Sequence, residues 1–292
     1  MQDALWVIVG PTASGKTELA LRLAEREGGE ILSADSVQVY RYFDVGSSKP
    51  SAEEQARAAH HLIDLLEPNE SMDTATWSAL ADERIATLRA AGKVPIVCGG
   101  TFLWVKTLLR GLAPAPRADE AVRARHRALV EQDGRAALHA TLAKVDPEMA
   151  AKLNPNDFVR VSRALEVYEL SGKPMSQWQA EHGFRQSRHH ARLVGIERSG
   201  DEMDARIRAR AEAMLQAGLR EEVRGLMGRG FADAKPMGSV GYKQVLAAER
   251  GELPEAELLD AIVRATRIFV RRQRTWLRDE DVQWLVPETL PD

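Results

Sequence analysis

The chain begins with an unbroken apolar run, Leu5 to Val9, that stops at Gly10. A continuous β-rich run of this kind suits a strand buried on both faces of a parallel sheet. From Glu18 to Glu25 the spacing turns helical, with Leu19 and Leu23 on one face. Glu30 to Ala34 and Val94 to Cys98 read as two further strands. Residues 113–190 read as helices throughout: Val122 with Leu129, then Leu138, Leu142 and Val145, then Val161, Leu165 and Tyr168 keep helical spacing. Asp146 with Pro147, and Asn156, supply start signals, the latter for a helix over 157–171, and a Pro-rich linker from Gly111 to Asp119 precedes the segment. Another helix is expected from Asp204 to Ala217, with Arg206 and Arg210 four apart and Ile207, Ala211 and Met214 facing elsewhere. Near the end a long helix has Ala261, Ala265, Ile268, Phe269 and Trp276 as its expected packing side. The pattern predicts an α/β fold in which a core of residues 1–112 and 191–292 is interrupted by an all-helical insertion at 113–190.

Composition narrows the class. With 292 residues, 44% hydrophobic and 28% charged, the chain can bury a sizeable core. Its apolar runs fall far short of the roughly 20 residues that cross a bilayer, so no membrane span is expected. The start lacks a basic leader and a small-residue cleavage site and does not read as a secretory signal. One cysteine, Cys98, can form neither an internal disulfide nor a zinc cage, and both facts favour a reducing cytoplasm. The net charge of −3 gives no hint of a polyanionic partner. The middle segment is the only net basic part and carries five of the 7 His, which by itself points only weakly to nucleic acid.

The first strand and helix enclose a stronger signal. Gly10, Pro11, Thr12, Ala13, Ser14, Gly15, Lys16 and Thr17 match the glycine-rich phosphate loop, the P-loop of nucleotide- and ATP-binding proteins, at every constrained position. The glycines let successive N–H groups and the helix N-terminus face phosphate oxygens, Lys16 adds a full charge, and Thr17 offers a hydroxyl to Mg²⁺. Such a loop grips a diphosphate whatever carries it. The second strand delivers Asp35 to a carboxyl edge, where ligands bind in open α/β sheets and a carboxylate can take a proton from a nucleophile; a turn or helix cap before Ser36 is the alternative. The strand ending at Cys98 runs into Gly99, Gly100 and Thr101, not into the Asp that holds Mg²⁺ in nucleoside triphosphatases, which counts against simple ATP hydrolysis.

Beyond the loop, Ser33 to Tyr40 (SADSVQVY), Asp44 to Pro50 (DVGSSKP), His60 to Asp64 (HHLID), Gly99 to Thr101, Ser162 to Lys173, Arg206 to Arg210, Val240 to Gln244 and Arg272 to Arg278 (RQRTWLR) follow in order. In these segments the chain resembles the bacterial tRNA dimethylallyltransferases nearly end to end. The resemblance implies that the loop binds the diphosphate of dimethylallyl diphosphate and that the acceptor is the exocyclic amine of an adenosine beside the anticodon. It implies Asp35 as the proton acceptor, Lys16 and Arg210 on the departing diphosphate, and Thr101 on the acceptor base. It assigns tRNA contact to Asp35, Ser36, Val37 and Gln38, to Thr101 and Arg123, to Val159, Arg160, Val161, Ser162 and Arg163, and to Gly238, Ser239, Val240, Gly241, Tyr242 and Lys243. Family members often carry Arg at one or both of positions 238 and 243. A monomer working on the tRNA anticodon stem-loop is the expected form.

A base stacked in an anticodon loop must be turned out to reach such a site, so a second surface has to hold the RNA. The helical insertion suits that role, with Arg160 and Arg163 three apart and away from Val161 and Leu165. A solvated face is the plainer reading of these arginines and of Arg123. Arg264, Arg267, Arg271, Arg274 and Arg278 recur at three and four, a stripe of roughly 21 Å that could meet phosphates or, by the preferred reading, pair with acidic helices of the core. Cys98, His60 and His61 read as structural. Two rivals stand beside the resemblance: a P-loop small-molecule or nucleotide kinase, and a non-catalytic, nucleotide-regulated RNA-binding protein. A relative acting on free adenine nucleotides is also conceivable, but the long insertion argues for a bulky acceptor.

Overall fold

Strand β1 (Leu5–Val9) is buried along its whole length, and the computed structural model, which describes residues 4–291, places it in the middle of a six-stranded sheet. A phosphate-loop turn joins it to α1 (Lys16–Glu27), which returns the chain to β2 (Gly29–Ser33). A long connection carrying α2 (Ala52–Arg57) leads to the short β3 (His60–His61), and α3 (Thr74–Ala90) leads to β4 (Val94–Gly99) and α4 (Phe102–Arg110). After the helical segment come β5 (Ala191–Ile196), helices α10 (Gly200–Gln216), α11 (Leu219–Gly228), α12 (Tyr242–Glu249) and α13 (Leu258–Leu277), and β6 (Val282–Leu285). The strand order is β3-β2-β4-β1-β5-β6, and every pairing is parallel.

Alternation along β1 divides the core. Leu5, Val7 and Val9 join one cluster with Leu32, Val97 and the buried faces of α3, α4, α10 and α13; Trp6 and Ile8 join the other with Ile31, Ile96 and Leu19, Ala20 and Leu23 of α1. Each fully buried Leu or Ile contributes about 1.5–3 kcal/mol to holding these layers together. Val9 lies level with Gly99 and Ser33 with Cys98. The carboxyl ends of β1, β2 and β4 therefore open side by side, where ligands bind in sheets of this class.

The contacts divide the chain into two units, one running to Leu109 and resuming at Arg188, the other spanning Arg110–Ser187. The second unit contains α5 (Glu120–Asp133), α6 (Arg135–Val145), α7 (Pro147–Lys152), α8 (Phe158–Ser171) and α9 (Met175–His182) around a small core that includes Leu138, Leu142, Val161 and Leu165. Asp119, Asp146 and Asp157 each accept a backbone N–H at the start of a helix. The start of α8 is thus capped by Asp157, not signalled by Asn156, because the side chain one residue later reaches the N–H of Arg160 at 3.2 Å.

Helix α13 corrects the expectation for its packing side. Ile268, Phe269 and Trp276 are 46%, 40% and 51% exposed, while Ile262, Val263, Thr266, Val270, Gln273 and Leu277 are buried. The buried stripe includes two polar side chains, and both are satisfied by hydrogen bonds: Thr266 donates to the Ile262 carbonyl, and Gln273 bridges two loops. Choosing the bulkiest apolar residues points to the wrong face. Of the arginine stripe, Arg267 pairs with Asp204 on α10 at 3.0 Å and Arg274 reaches the Arg198 carbonyl at 3.5 Å. Arg264, Arg271 and Arg278 are exposed and make no ion pair among the described residues.

Gly99 marks the tightest approach in the sheet, since a Cβ there would lie 2.2 Å from the Ala34 carbonyl oxygen. Gly99→Ala is expected to lower stability by about 2–3 kcal/mol through overpacking. Gly225→Ala, in the exposed middle of α11 where an added Cβ would meet no neighbour within 4 Å, is expected to raise it by about 0.5–1 kcal/mol. Urea titration of both variants checks the pair, and a neutral Gly99→Ala contradicts it.

Candidate active site

The phosphate loop is shaped from behind. Gly15 has φ 98°, in the left-handed region, and no side chain caps α1, so the N–H groups of Lys16 and Thr17 have no intrahelical partner. The loop carbonyls are drawn away by arginines: Arg206 donates to Ala13 O at 2.7 Å and Arg198 to Ser14 O at 3.2 Å. Ser14 N donates back to Pro11 O at 3.2 Å, and the buried Ser14 Oγ has no hydrogen-bond partner. With its oxygens pulled outward, the loop presents N–H groups inward.

Two cations share the space these groups face. Lys16 is half-buried, and burial pulls its ammonium below the usual lysine range, partly opposed by the charge of Asp35. Burial also pulls the Arg210 guanidinium below its ordinary value, with Asp35 again opposing. Arg210 stands on α10 and lines two adjoining cavities with Thr12, Asp35 and Ser47. Among the described residues neither Lys16 nor Arg210 forms an ion pair. Cys98 borders the same space, but burial pushes its thiol up to about 11, and it stays a neutral neighbour of the Lys16 carbonyl at 3.7 Å. His60 Nδ1 meets the Ala58 carbonyl while the residue borders the smaller cavity, and His61 Nε2 meets Glu30 at 2.7 Å.

Asp35 is a turn residue with one carboxylate oxygen to spare. Its Oδ1 accepts N–H bonds from Val37 at 2.8 Å and Gln38 at 3.3 Å, which fixes the turn after β2. Oδ2 has no hydrogen bond among the described residues, and the side chain borders both cavities. Thr101 stands opposite: its N–H donates to Ala34 O at 3.0 Å, and its Oγ1 accepts from Ser36 N at 2.9 Å. The hydroxyl proton is therefore left to point elsewhere. The larger cavity, about 330 Å³, has one apolar wall of Ile207, Ala211, Met214, Val240, Ile262 and Phe269. Helical spacing sets Ile207, Ala211 and Met214 away from Arg210, yet they border the same cavity.

Gln273 lies within the RQRTWLR segment, whose sequence points to no role for it. Its Oε1 accepts the Thr12 N–H at 2.9 Å, and its Nε2 donates to Gly100 O at 3.0 Å. It clamps the phosphate loop to the Gly99–Thr101 turn across more than 170 residues of sequence. No local pattern announces this; only its polar identity within the buried stripe of α13 could draw attention.

The residues assigned to tRNA contact separate into groups. Asp35, Ser36, Val37, Thr101, Gly238, Ser239 and Val240 line the larger cavity. Gln38 lies behind, with Nε2 donating to Ser47 O and Ser48 O. Lys243 is exposed, Gly241 is buried, and Tyr242 is fully buried with its hydroxyl donating to Glu222 at 2.5 Å. In the helical unit Val159 is 74% exposed and Arg160 is an exposed partner of Asp157. Val161 and Ser162 are buried, Ser162 against His126 Nδ1 at 2.9 Å. Arg163 and Arg123 both bind the buried Glu166, at 2.6 and 3.0 Å, and Arg163 also reaches Pro116 O at 2.5 Å. As folded, Val161, Ser162 and Tyr242 offer no surface to a partner, and the two arginines are held by a carboxylate whose burial demands them. The Arg163–Glu166 spacing of three is visible in the sequence and signals this pairing.

The IPP transferase family model matches residues 38–280 and the isopentenyl transferase model residues 3–66. A tRNA dimethylallyltransferase of Sorangium cellulosum is 61% identical over 96% of this chain and 90% of its own. One of Anaeromyxobacter dehalogenans is 49% identical over 99% and 96%. The crystal structure of a tRNA isopentenylpyrophosphate transferase from Bacillus halodurans superposes with a TM-score of 0.71 at 36% identity, covering 97% of this chain and 90% of that one. A eukaryotic dimethylallyltransferase, 24% identical, shares the fold with a TM-score of 0.80 over 97% of this chain and 74% of that one. The loop that presents its N–H groups, the free oxygen of Asp35 and the Thr101 turn thus stand on a fold common to these enzymes, and the chain belongs to the IPP transferase family, the tRNA dimethylallyltransferases.

Proposed function

We propose that the protein transfers the dimethylallyl group of dimethylallyl diphosphate to the exocyclic amine of an adenosine next to the anticodon of tRNA, releasing diphosphate. The observation that carries this reading is that two half-buried cations in no ion pair among the described residues, Lys16 and Arg210, share a cavity with a carboxylate that keeps one oxygen free of hydrogen bonds. Buried charges without partners are costly, and a diphosphate supplies what Lys16, Arg210 and the loop N–H groups lack. As the allylic carbon–oxygen bond breaks, charge builds on the leaving group, and these fixed donors stabilise it more strongly than in the ground state. The attacking amine becomes positive as its bond to carbon forms, and Asp35 Oδ2 takes its proton. The Thr101 hydroxyl, with its oxygen committed to Ser36 N, donates to a ring nitrogen of the base. The apolar wall of the cavity accommodates the prenyl group.

The donors around the diphosphate chamber suit Mg²⁺: Thr17 and Ser33 offer hard oxygen ligands, and no cluster of three or more His, Cys, Asp or Glu forms a dedicated metal cage among the described residues. Thr17 would hold the ion together with diphosphate oxygens, and when bound it offsets leaving-group charge. The kinase reading is disfavoured by the relatives, which are tRNA dimethylallyltransferases, and the Gly-Gly-Thr at the end of β4, in place of the Asp that holds Mg²⁺ in nucleoside triphosphatases, counts against simple ATP hydrolysis. For the RNA, exposed Arg160 on α8 and the exposed Arg264, Arg271 and Arg278 on α13, the last three in no ion pair among the described residues, offer cations to phosphates, and exposed Val159 offers an apolar contact. No described helix is long and apolar enough to cross a membrane.

Incubation with an anticodon stem-loop and dimethylallyl diphosphate, followed by mass spectrometry of the RNA, is expected to show one dimethylallyl group in place of one hydrogen. Unchanged RNA, or phosphoryl transfer from ATP to an acceptor, overturns the reading. Asp35→Asn keeps the acceptor of the Val37 and Gln38 amides and removes the base. It is expected to cut turnover by about 10²–10⁴-fold with RNA affinity nearly unchanged, and a loss confined to affinity contradicts the assignment.

Lys16 gives a pH signature. Its free-state pKa is lowered by burial, and a bound anion raises it again. Its contribution to binding is therefore full below the free-state value and is lost as pH rises between the free and bound values. Pyrophosphate affinity, measured relative to Lys16→Arg, whose guanidinium does not titrate, is expected to fall through that window. A constant ratio contradicts it.

A further inference from the structure

Helix α11 carries a carboxylate that the reaction does not use. Glu222 Oε2 accepts the N–H groups of Asp44 at 3.0 Å and Val45 at 2.7 Å, and Oε1 accepts those of Gly46 at 3.2 Å and the Tyr242 hydroxyl at 2.5 Å. Four donors converge on one side chain, and an ionised carboxylate is the only side chain that is acceptor at both oxygens. Burial and the adjacent Glu222 charge push the Tyr242 phenol well above the ordinary tyrosine range, so it remains a donor.

The two segments gathered there continue directly into the walls of the larger cavity. Gly46 and Ser47 line one part of it, and Gly238, Ser239 and Val240 line another. The segments press on each other: the Phe43 and Tyr242 rings lie 4.8 Å apart, and a Cβ on Gly46 would sit 2.5 Å from the Tyr242 ring. The first segment also leads to the proton acceptor, because Gln38 Nε2 donates to Ser47 O and Ser48 O while Gln38 N donates to Asp35 Oδ1.

We propose that Glu222 is a positioning residue for the acceptor: by holding the amides of Asp44, Val45 and Gly46 and the Tyr242 hydroxyl on one carboxylate, it sets the gap into which the adenosine is received. This rests on reading the cavity as the adenosine site. Glu222 lines neither of the two cavities. A glutamine at 222 has one acceptor oxygen and turns an NH2 group toward the remaining donors, so it opposes the arrangement that glutamate holds.

Steady-state kinetics with an anticodon stem-loop and dimethylallyl diphosphate, alongside pyrophosphate affinity and thermal melting, test the proposal. Tyr242→Phe, which keeps the ring and removes one donor, is expected to raise the stem-loop KM about tenfold and Glu222→Gln about thirtyfold. Both are expected to lower kcat much less and to leave pyrophosphate affinity within twofold. The double variant is expected to be no worse than Glu222→Gln alone, since both act through one carboxylate. A stem-loop KM within twofold of wild type in Tyr242→Phe, a parallel loss of pyrophosphate affinity, or additive effects in the double variant overturns the proposal, and Tyr242→Phe decides it even where Glu222→Gln fails to fold. A wild-type protein that leaves the stem-loop unmodified overturns the underlying reading instead.

Discussion

Lys16 and Arg210 are held at the carboxyl edge of the sheet, each with its pKa lowered by burial and with no ion pair to an acidic residue among the described residues. Folding a cation into a low-dielectric pocket without a counterion costs stability. The surrounding construction magnifies that cost: Arg198 and Arg206 occupy the loop carbonyls, leaving its N–H groups as the inward face. Positive potential is concentrated at one place, and a polyanionic ligand relieves it. Asp35 is the one carboxylate close enough to oppose both burial effects, and half of it is committed to a turn.

The sheet makes this concentration possible. Parallel pairing with β1 between β4 and β5 brings three strand ends level, so a phosphate loop, a carboxylate turn and a hydroxyl turn meet although they are distant in sequence. Close approach at Gly99 lets the β2 and β4 turns touch, and Gln273 fastens the phosphate loop to the second of them. Donor and acceptor positions are thereby fixed by backbone and buried amide contacts, and alignment of this kind lowers a bimolecular barrier without new chemistry.

What can be read from the residues is what local spacing encodes. The loop motif, the continuous apolar strands and the helical stripe of the insertion depend on neighbours a few residues apart, and Asp35 is drawn out by standing just past a strand end, whereas Thr101 is singled out only by the family resemblance. Partners far apart are not legible. Nothing near Gln273 tells that it bridges Thr12 and Gly100, and nothing near Glu222 tells that it gathers Asp44 to Gly46. The faces of α13 mislead for a related reason: exposed Phe269 and Trp276 outweigh buried Thr266 and Gln273, whose burial is acceptable only because long-range or helical hydrogen bonds satisfy them. Arg123 and Arg163 look free for phosphates until the buried carboxylate of Glu166 accounts for both.

The account turns on two cations that weaken the empty protein and are stabilised by their ligand. Thermal melting of wild type, Lys16→Met and Arg210→Met with and without pyrophosphate tests this most directly, because a ligand bound only to the folded state raises its stability by mass action. The expected result is that both variants melt at or above the temperature of the ligand-free wild type while losing most of the pyrophosphate-induced rise. Variants that melt lower than wild type and still respond fully to pyrophosphate would contradict it.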